Sequence, residues 1–391
     1  MKKVLFVLSS VGLGGTATSL LNLLSLWDSE EYEADLFLMQ HTGPFLKRAQ
    51  TLRLLPEERI ISSVLCSKSA LKQKGFRAIL IRLAFTVGHR LFGVRKTTEW
   101  FYRRSARKLS GKYDVVVAYQ ESLATEYVQH IQAPARVAWC HMDYHAFSRG
   151  RSVSEQKRLY DHYGAVACVS EVVKQSMIDN LQISSEKLQV VYNTIPPLFI
   201  RKTAEEAGEP IETGTFTFVS CGRFVKRKRF DRIVKAAAAL RDSSVDFRWY
   251  LLGDGEEYAA IEHAVREQNL QDKLILTGPK SNPFRYLAKA DCFVMTSESE
   301  GQPMVLNEAL TLGVPTITTE FPSAREVVKH GVDSLMPPNT DEDLVQAVLQ
   351  FVRDKSLRAT LKQGANAFQY DNASILKQIV GMFDQTGGTQ S

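Results

Sequence analysis

The densest chemistry in this sequence lies in the stretch Ser297-Glu298-Ser299-Glu300-Gly301-Gln302-Pro303-Met304-Val305-Leu306-Asn307-Glu308. Proline suits the start of a helix, so Glu300 falls in a loop and Glu308 about one turn inside the helix that follows. Two carboxylates placed this way can accept hydrogen bonds from sugar hydroxyls. Gly301 permits close backbone approach to a ligand. The first-turn amides of Met304 and Val305, which lack helical acceptors, are expected to face a phosphate. A second segment, Cys221-Gly222-Arg223-Phe224-Val225-Lys226-Arg227-Lys228-Arg229, sets Arg223 and Lys228 five residues apart across a turn. Arginine offers a planar fork and lysine a compact charge, a pair suited to a diphosphate. Taken alone, these segments read equally as a Glu-rich surface turn and as a solvated basic loop or nuclear-localisation run.

Two further loops carry suitable residues. Ser9-Ser10-Val11-Gly12-Leu13-Gly14-Gly15-Thr16 passes from an apolar run into a helical pattern. Gly14 and Gly15 would let backbone amides approach an anion at a helix N-terminus. The spacing G-x-G-G is not that of a dinucleotide site, and no Lys-Ser/Thr pair follows, so a simple tight turn is the competing reading. His141 comes just past the apolar run Val137-Ala138-Trp139-Cys140, where it would bind a ligand, act in acid/base chemistry or serve structure alone. His145 lies four residues on, the spacing of a metal pair on a helix. The sequence does not establish the helix that this pairing would need, and no metal is expected.

Positioning such loops requires a particular scaffold. Short continuous apolar runs alternate with amphipathic stretches: Val4–Leu8, Ala34–Met39, Val115–Ala118, Val137–Trp139, Ala165–Val169 and Leu188–Val191 read as strands. Such runs suit parallel strands buried on both faces, with helices as crossovers. A break comes at Pro196-Pro197 and the polar stretch to Thr215. The alternation then restarts with strands at Phe216–Ser220, Trp249–Leu252, Leu274–Thr277, Cys292–Thr296 and Thr316–Thr319, with a last helix near Ala373–Phe383. The expected fold is α/β, with two doubly wound parallel-sheet domains facing a cleft. The expected boundaries are 1–197, 198–371 and a C-terminal helix, 372–391, returning toward the first domain. Ligands of such sheets bind at the carboxyl ends of the strands.

Bulk properties agree with a globular chain of two domains: 391 residues, 44% hydrophobic and 24% charged. The five cysteines are scattered, odd in number and lack a C-x-x-C pair, which argues against a disulfide framework or zinc site and for a reducing compartment. The apolar run at Val4–Leu8 is too short for a signal peptide, and no stretch nears the ~18 apolar residues of a membrane span.

Charge is uneven. Residues 67–110 hold 12 Lys and Arg against one acid, Glu99. They interleave with Phe76, Ile79, Leu80, Leu83, Phe85, Leu91, Phe92, Trp100 and Phe101. Cations and apolar side chains at helical spacing read as an interfacial helix for an anionic membrane surface, the competing reading being a core helix with a solvated basic face. No recognition motif for nucleic acid accompanies the charge, and none is expected as a partner.

Together and in this order, these loops resemble the retaining glycosyltransferases of family GT4, in particular those that build bacterial surface polysaccharides. The resemblance covers most of the chain, and its most specific element is Glu-x7-Glu, met by Glu300 and Glu308. It implies a GT-B fold of two Rossmann-like domains, with the donor held mainly by the second and the acceptor by the first. It implies a hexosyl or N-acetylhexosaminyl group moved from a nucleotide diphosphate sugar, UDP favoured, to a glycan or lipid-linked acceptor with retention of configuration. By the same resemblance, Arg223 and Lys228 hold the diphosphate and Glu308 the ribose. Glu300, with the backbone of Gly301 to Val305, holds the sugar. His141 sits near the reacting carbon and Gly15 near the diphosphate, with Gly14 beside it. No cofactor or metal is implied, and the place of work is the cytoplasmic face of the cell membrane. The sequence departs from the family at Gln302-Pro303, where many relatives carry an aromatic and then glycine. A phosphorylase, an epimerase and a non-catalytic sugar-nucleotide-binding protein remain the alternatives; the first would need a pyridoxal-phosphate lysine.

Overall fold

A computed structural model of the chain describes residues 1–12, 14–144, 152–208 and 210–388. The chain divides into two compact units, one of residues 1–194 with 372–391 and one of residues 195–371. Among the described residues each unit carries one six-stranded sheet, parallel throughout.

The first sheet holds β1 (Lys2–Leu8), β2 (Tyr32–Leu38), β3 (Val115–Ala118), β4 (Ala135–Cys140), β5 (Ala165–Cys168) and β6 (Leu188–Val190), in the order β2-β1-β3-β4-β5-β6. Val4 to Leu8 and all of β3 are buried, as expected of strands covered on both faces. The order reverses between β1 and β3, so the loops that follow them splay apart and leave a crevice.

Parts of the chain that the apolar runs passed over form structure as well. A helix at Arg59–Leu65 takes the Glu58 side chain as its N-cap. Glu58 is itself buried against Ser105 Oγ (2.7 Å) and Lys108 Nζ (2.7 Å). The basic segment folds into helices Lys68–Gln73, Phe76–Phe92 and Val94–Ala106. In the 17-residue helix Phe76–Phe92 only Ala78 is buried. Phe76, Leu83, Leu91, Phe92, Val94 and Trp100 are each more than half exposed. Val94–Ala106, by contrast, buries Phe101, Tyr102, Ser105 and Ala106 along one face. No described helix is long and apolar enough to cross a membrane.

The second sheet holds β7 (Phe216–Cys221), β8 (Phe247–Leu252), β9 (Leu274–Gly278), β10 (Cys292–Met295), β11 (Thr316–Thr318) and β12 (Ser334–Leu335). Their order, β12-β11-β10-β7-β8-β9, is the 3-2-1-4-5-6 arrangement of doubly wound nucleotide-binding sheets read from the other edge. Phe218, Trp249, Leu251, Val294 and Ile317 centre one core with the helices Phe230–Asp242 and Asp341–Arg353. Residues 320–371, silent in the apolar pattern, supply β12 and two amphipathic helices, Asp341–Arg353 and Lys355–Asn366.

The C-terminal helix, Asn372–Gly388, belongs to the first unit. Phe383 is fully buried there among Phe6, Trp27 and Tyr32. Asp384 bonds Lys2 Nζ (2.6 Å) and Tyr32 Oη (2.8 Å). Burial outweighs the exposed ion pair. Phe383→Ala should destabilise the first unit by roughly 3–5 kcal/mol through a cavity, and Asp384→Asn by about 1 kcal/mol. Denaturant titration checks this; equal losses would refute the ranking.

Candidate functional site

In the second unit the sheet order reverses between β7 and β10, and the two loops leaving these strands carry the predicted residues. The loop after β7 runs from Gly222 to Arg229. Phe224 anchors it, buried and stacked on Phe230 (4.1 Å) and near Tyr258 (5.4 Å). Its amide donates to the Asp254 carbonyl (2.9 Å). Gly253, at φ +140°, lies against this loop, and a Cβ there would collide with the Gly222 carbonyl. The loop ends at Arg229, a non-glycine residue at φ +50°. Its guanidinium binds Asp231 (2.9 Å), Glu298 (2.9 Å) and Asp341 (3.1 Å), contacts that sustain a backbone otherwise costing ~1 kcal/mol or more.

The loop after β10 is stitched to it. The Glu298 amide donates to the Arg227 carbonyl (2.8 Å) and Thr296 Oγ1 to the Lys228 carbonyl (2.6 Å). Arg227 donates to the Ser299 carbonyl (3.1 Å). Ser323 Oγ holds the Glu300 carbonyl (2.8 Å) and Thr319 Oγ1 that of Ser297 (2.6 Å). These bonds deliver Glu300 onto Lys228. One carboxylate oxygen pairs with Lys228 Nζ and accepts from Ser297 Oγ (2.9 Å), while the other meets Arg227 (3.3 Å). Burial opposes ionisation of Glu300, but the Lys228 and Arg227 charges and the bonds from Lys228 and Ser297 outweigh it and hold the carboxyl below its usual range. Glu300 is thus an anion at neutral pH, inside a cationic clamp.

Glu308 lies in the second turn of the helix Met304–Thr311 and is buried. Burial pushes the thiol of Cys221, at the end of β7, up to about 12, with Glu308 raising it and Lys228 lowering it. Both charges therefore act at the mouth of β7. Lys228 also lies over Gly222, its Cε 3.6 Å from where a Cβ would stand. Arg223 is not drawn into the cluster: it is exposed and makes no ion pair among the described residues.

The helix start differs from expectation. Pro303, at φ −80° and ψ 74°, sits in an inverse γ-turn, and the Met304 amide donates to the Gln302 carbonyl (2.9 Å). Met304 therefore offers no free donor. Val305 remains in the first turn, and Gly301 lies in the loop beside Glu300.

In the first unit, Gly14 stands at the N-cap of the helix Gly15–Ser25. Among the described residues, none outside the immediate chain neighbours lies within 4 Å of where a Cβ would stand on Gly12, Gly14 or Gly15, so these glycines face open space. Leu13 is outside the described residues. His141 follows β4 and is buried. Its ring lies 4.9 Å from that of Tyr119 and hydrogen-bonds the Tyr119 carbonyl. Nε2 is buried with no partner among the described residues, so Nδ1 carries the proton. Burial lowers the imidazole to about 3, the Tyr119 bond opposing. At neutral pH His141 is an acceptor through Nε2 and not a proton donor. His145 falls outside the described residues. Among these no group of three or more His, Cys, Asp or Glu could hold a metal ion.

Sequence reasoning missed Glu121. It is buried, and its Oε1 accepts from the amides of His141 and of Met142 (2.9 Å). The available signal was a carboxylate three residues beyond the apolar run Val115–Ala118.

Comparison with known proteins gives a consistent result. The sequence profile "Glycosyltransferase Family 4" matches residues 13–197, and "Glycosyl transferases group 1" matches 201–368. The chain is 28% identical over 217 residues to a Campylobacter jejuni N-acetylgalactosamine-N,N'-diacetylbacillosaminyl-diphospho-undecaprenol 4-alpha-N-acetylgalactosaminyltransferase, covering 53% of this chain and 57% of that one. It is 30% identical over 174 residues to the lipopolysaccharide core biosynthesis glycosyltransferase LpsD of Rhizobium meliloti, covering 44% and 50%. The chain thus spans about half the length of these curated relatives. The crystal structure of Anabaena Alr3699/HepE in complex with UDP and glucose superposes with a TM-score of 0.73 over 98% of this chain and 100% of that one, at 17% identity. With both sheets doubly wound and two profiles matching successive halves, the chain belongs to the GT4-type glycosyltransferases of GT-B fold.

Proposed function

We propose that the protein moves a hexosyl or N-acetylhexosaminyl group from a nucleotide diphosphate sugar, UDP favoured, to a glycan or lipid-linked acceptor, with retention at the anomeric carbon, in bacterial surface-polysaccharide synthesis. The observation that carries this reading is the Lys228–Glu300 pair at the switch point of the second sheet, with Glu308 and Lys228 both acting on Cys221 at the end of β7. Such a site joins a cation for phosphate to carboxylates for hydroxyls. The names of the Campylobacter and Rhizobium relatives, and the UDP and glucose bound to the Anabaena protein, support the donor and acceptor classes.

In this reading bond cleavage leaves negative charge on the diphosphate and positive character on the sugar ring. Lys228 and the exposed Arg223 neutralise the diphosphate as the charge develops. Glu300 is already ionised and fixed; it accepts from sugar hydroxyls and shares Lys228 with the phosphate. Glu308 accepts from the ribose. Gly301 and the Val305 amide complete the cradle, whereas Met304 contributes packing, its amide being engaged. Gly14 and Gly15 offer an open backbone to the diphosphate, and Nε2 of His141 is an acceptor for the sugar near its reacting carbon. The positive charge is supplied by side chains, and no metal or cofactor is invoked.

The exposed apolar side chains at 76–100, set among Arg77, Arg90, Arg95 and Lys96, fit an anionic bilayer. We place the protein at the cytoplasmic face of the cell membrane, where a lipid-linked acceptor would be met. Arg82 does not serve this surface: it caps the carbonyls of Ser63, Val64 and Cys66.

Lys228→Ala should lower kcat by roughly 10²–10³-fold, the scale of one preorganised donor, with unchanged circular dichroism; near-normal turnover would remove the diphosphate role. Turnover should persist in excess EDTA, and strict dependence on added divalent metal would sink the side-chain clamp. Replacing Arg77, Arg90 and Arg95 by Gln should weaken sedimentation with phosphatidylserine vesicles by up to about a hundredfold, at ~1 kcal/mol per cation. Unchanged binding would end the membrane assignment.

A further inference from the structure

The loops after β3 and β4 hold a buried constellation whose order exceeds what packing needs. Glu121 is 3% exposed, and its Oε1 accepts two consecutive amides, from His141 and Met142. Its other oxygen is buried without a partner among the described residues. Burial raises its carboxyl above the usual range, against bonds from its own amide, from those of His141 and Met142, and from the Cys140 thiol. The residue that follows, Ser122, sits at φ 69° and ψ −101°, a conformation costing on the order of 1–3 kcal/mol that persists only where its surroundings impose it. A buried, undercompensated carboxyl beside a strained serine is an expensive way to close a loop. A neutral side chain would do it at lower cost.

What the arrangement produces is the placement of one ring. The backbone of His141 is held by Glu121, and its Nδ1–H by the Tyr119 carbonyl. Its face rests on the Tyr119 ring. Tyr119 is itself fixed through its hydroxyl to Ser19 Oγ (2.8 Å). Every degree of freedom of the imidazole is thereby removed, and Nε2 alone is left unengaged.

We propose that Glu121 is a positioning residue for His141: its carboxyl grips the amides of residues 141 and 142 and so sets where Nε2 meets the substrate. The proposal rests on the reading of His141 as a sugar contact. It depends on the reach of the side chain rather than on its charge. Glutamine keeps an oxygen acceptor at the same distance, whereas aspartate keeps the acid and shortens the reach by a methylene.

The test uses the full-length protein with the UDP-sugar that stabilises it most in a thermal-shift panel. Steady-state kcat and donor KM are measured for Glu121→Asp, Glu121→Gln, His141→Ala and Glu121→Asp/His141→Ala, with melting temperatures as a fold control. Glu121→Asp should lose roughly ten- to a hundredfold in kcat at unchanged donor KM, the scale of an ångström of misplacement. Glu121→Gln should stay close to the parent. In the His141→Ala background, Glu121→Asp should cost nothing further, because residues acting through one another do not add. A Glu121→Asp loss that keeps its full size in that background overturns the proposal and leaves the function standing. A His141→Ala protein with full turnover removes the sugar contact, and the positioning role with it.

Discussion

Everything at the second unit's site depends on a carboxylate held where water does not solvate it fully. Burial works against the charge of Glu300; Lys228 and Arg227 restore it. Because the cations leave one strand and the carboxylate follows another, the ion pair acts as a clasp between two loops. The backbone bonds from Glu298 to Arg227 and from Thr296 to Lys228 fix the register of that clasp. An exposed pair would contribute about 0–1 kcal/mol and little geometry. A sequestered one with its remaining valences satisfied specifies position, at the cost of leaving a buried charge if either partner is lost.

The scaffold makes the clasp possible through strand order. Parallel strands place all their C-terminal loops on one edge of the sheet, and the reversal between β7 and β10 keeps a crevice open between the two loops. The buried arginine below, Arg232, ties the carbonyl of Thr296 (3.4 Å) to Asp341 (2.7 Å) and Asn339. The loop after β10 is thus held from beneath as well as from the side. The first unit uses the same device differently. Its reversal lies between β1 and β3, and the carboxyl found there, Glu121, grips backbone amides rather than cations.

Much of the fold was legible because burial on both faces of a parallel sheet leaves unbroken apolar runs, as at Val4–Leu8 and Cys292–Met295. The region 320–371 was not, because β12 has only two residues and its helices are amphipathic rather than apolar. At the site, residue type and spacing singled out Glu300, Glu308 and Lys228, since charge beside glycine after a strand is visible in one dimension. Pairing is not. Nothing in the order of residues says that Lys228 reaches Glu300 while Arg223 stays in solvent. The Met304 amide was misjudged because proline constrains its own φ but leaves ψ to context, and here the turn closes on Gln302. Glu121 escaped notice because its partners are main-chain amides, which carry no sequence signature.

The return of residues 372–388 to the first unit makes the second unit an insertion in the middle of the first. On the ribosome the order of completion is therefore inverted. Residues 195–371 are contiguous and can close their core while the chain is still growing. The sheet that emerged first must wait, its Phe6, Trp27 and Tyr32 surface uncovered, until Phe383 is made. A chain stopped just after residue 371, short of the last helix, would carry a finished second unit and an unfinished first one.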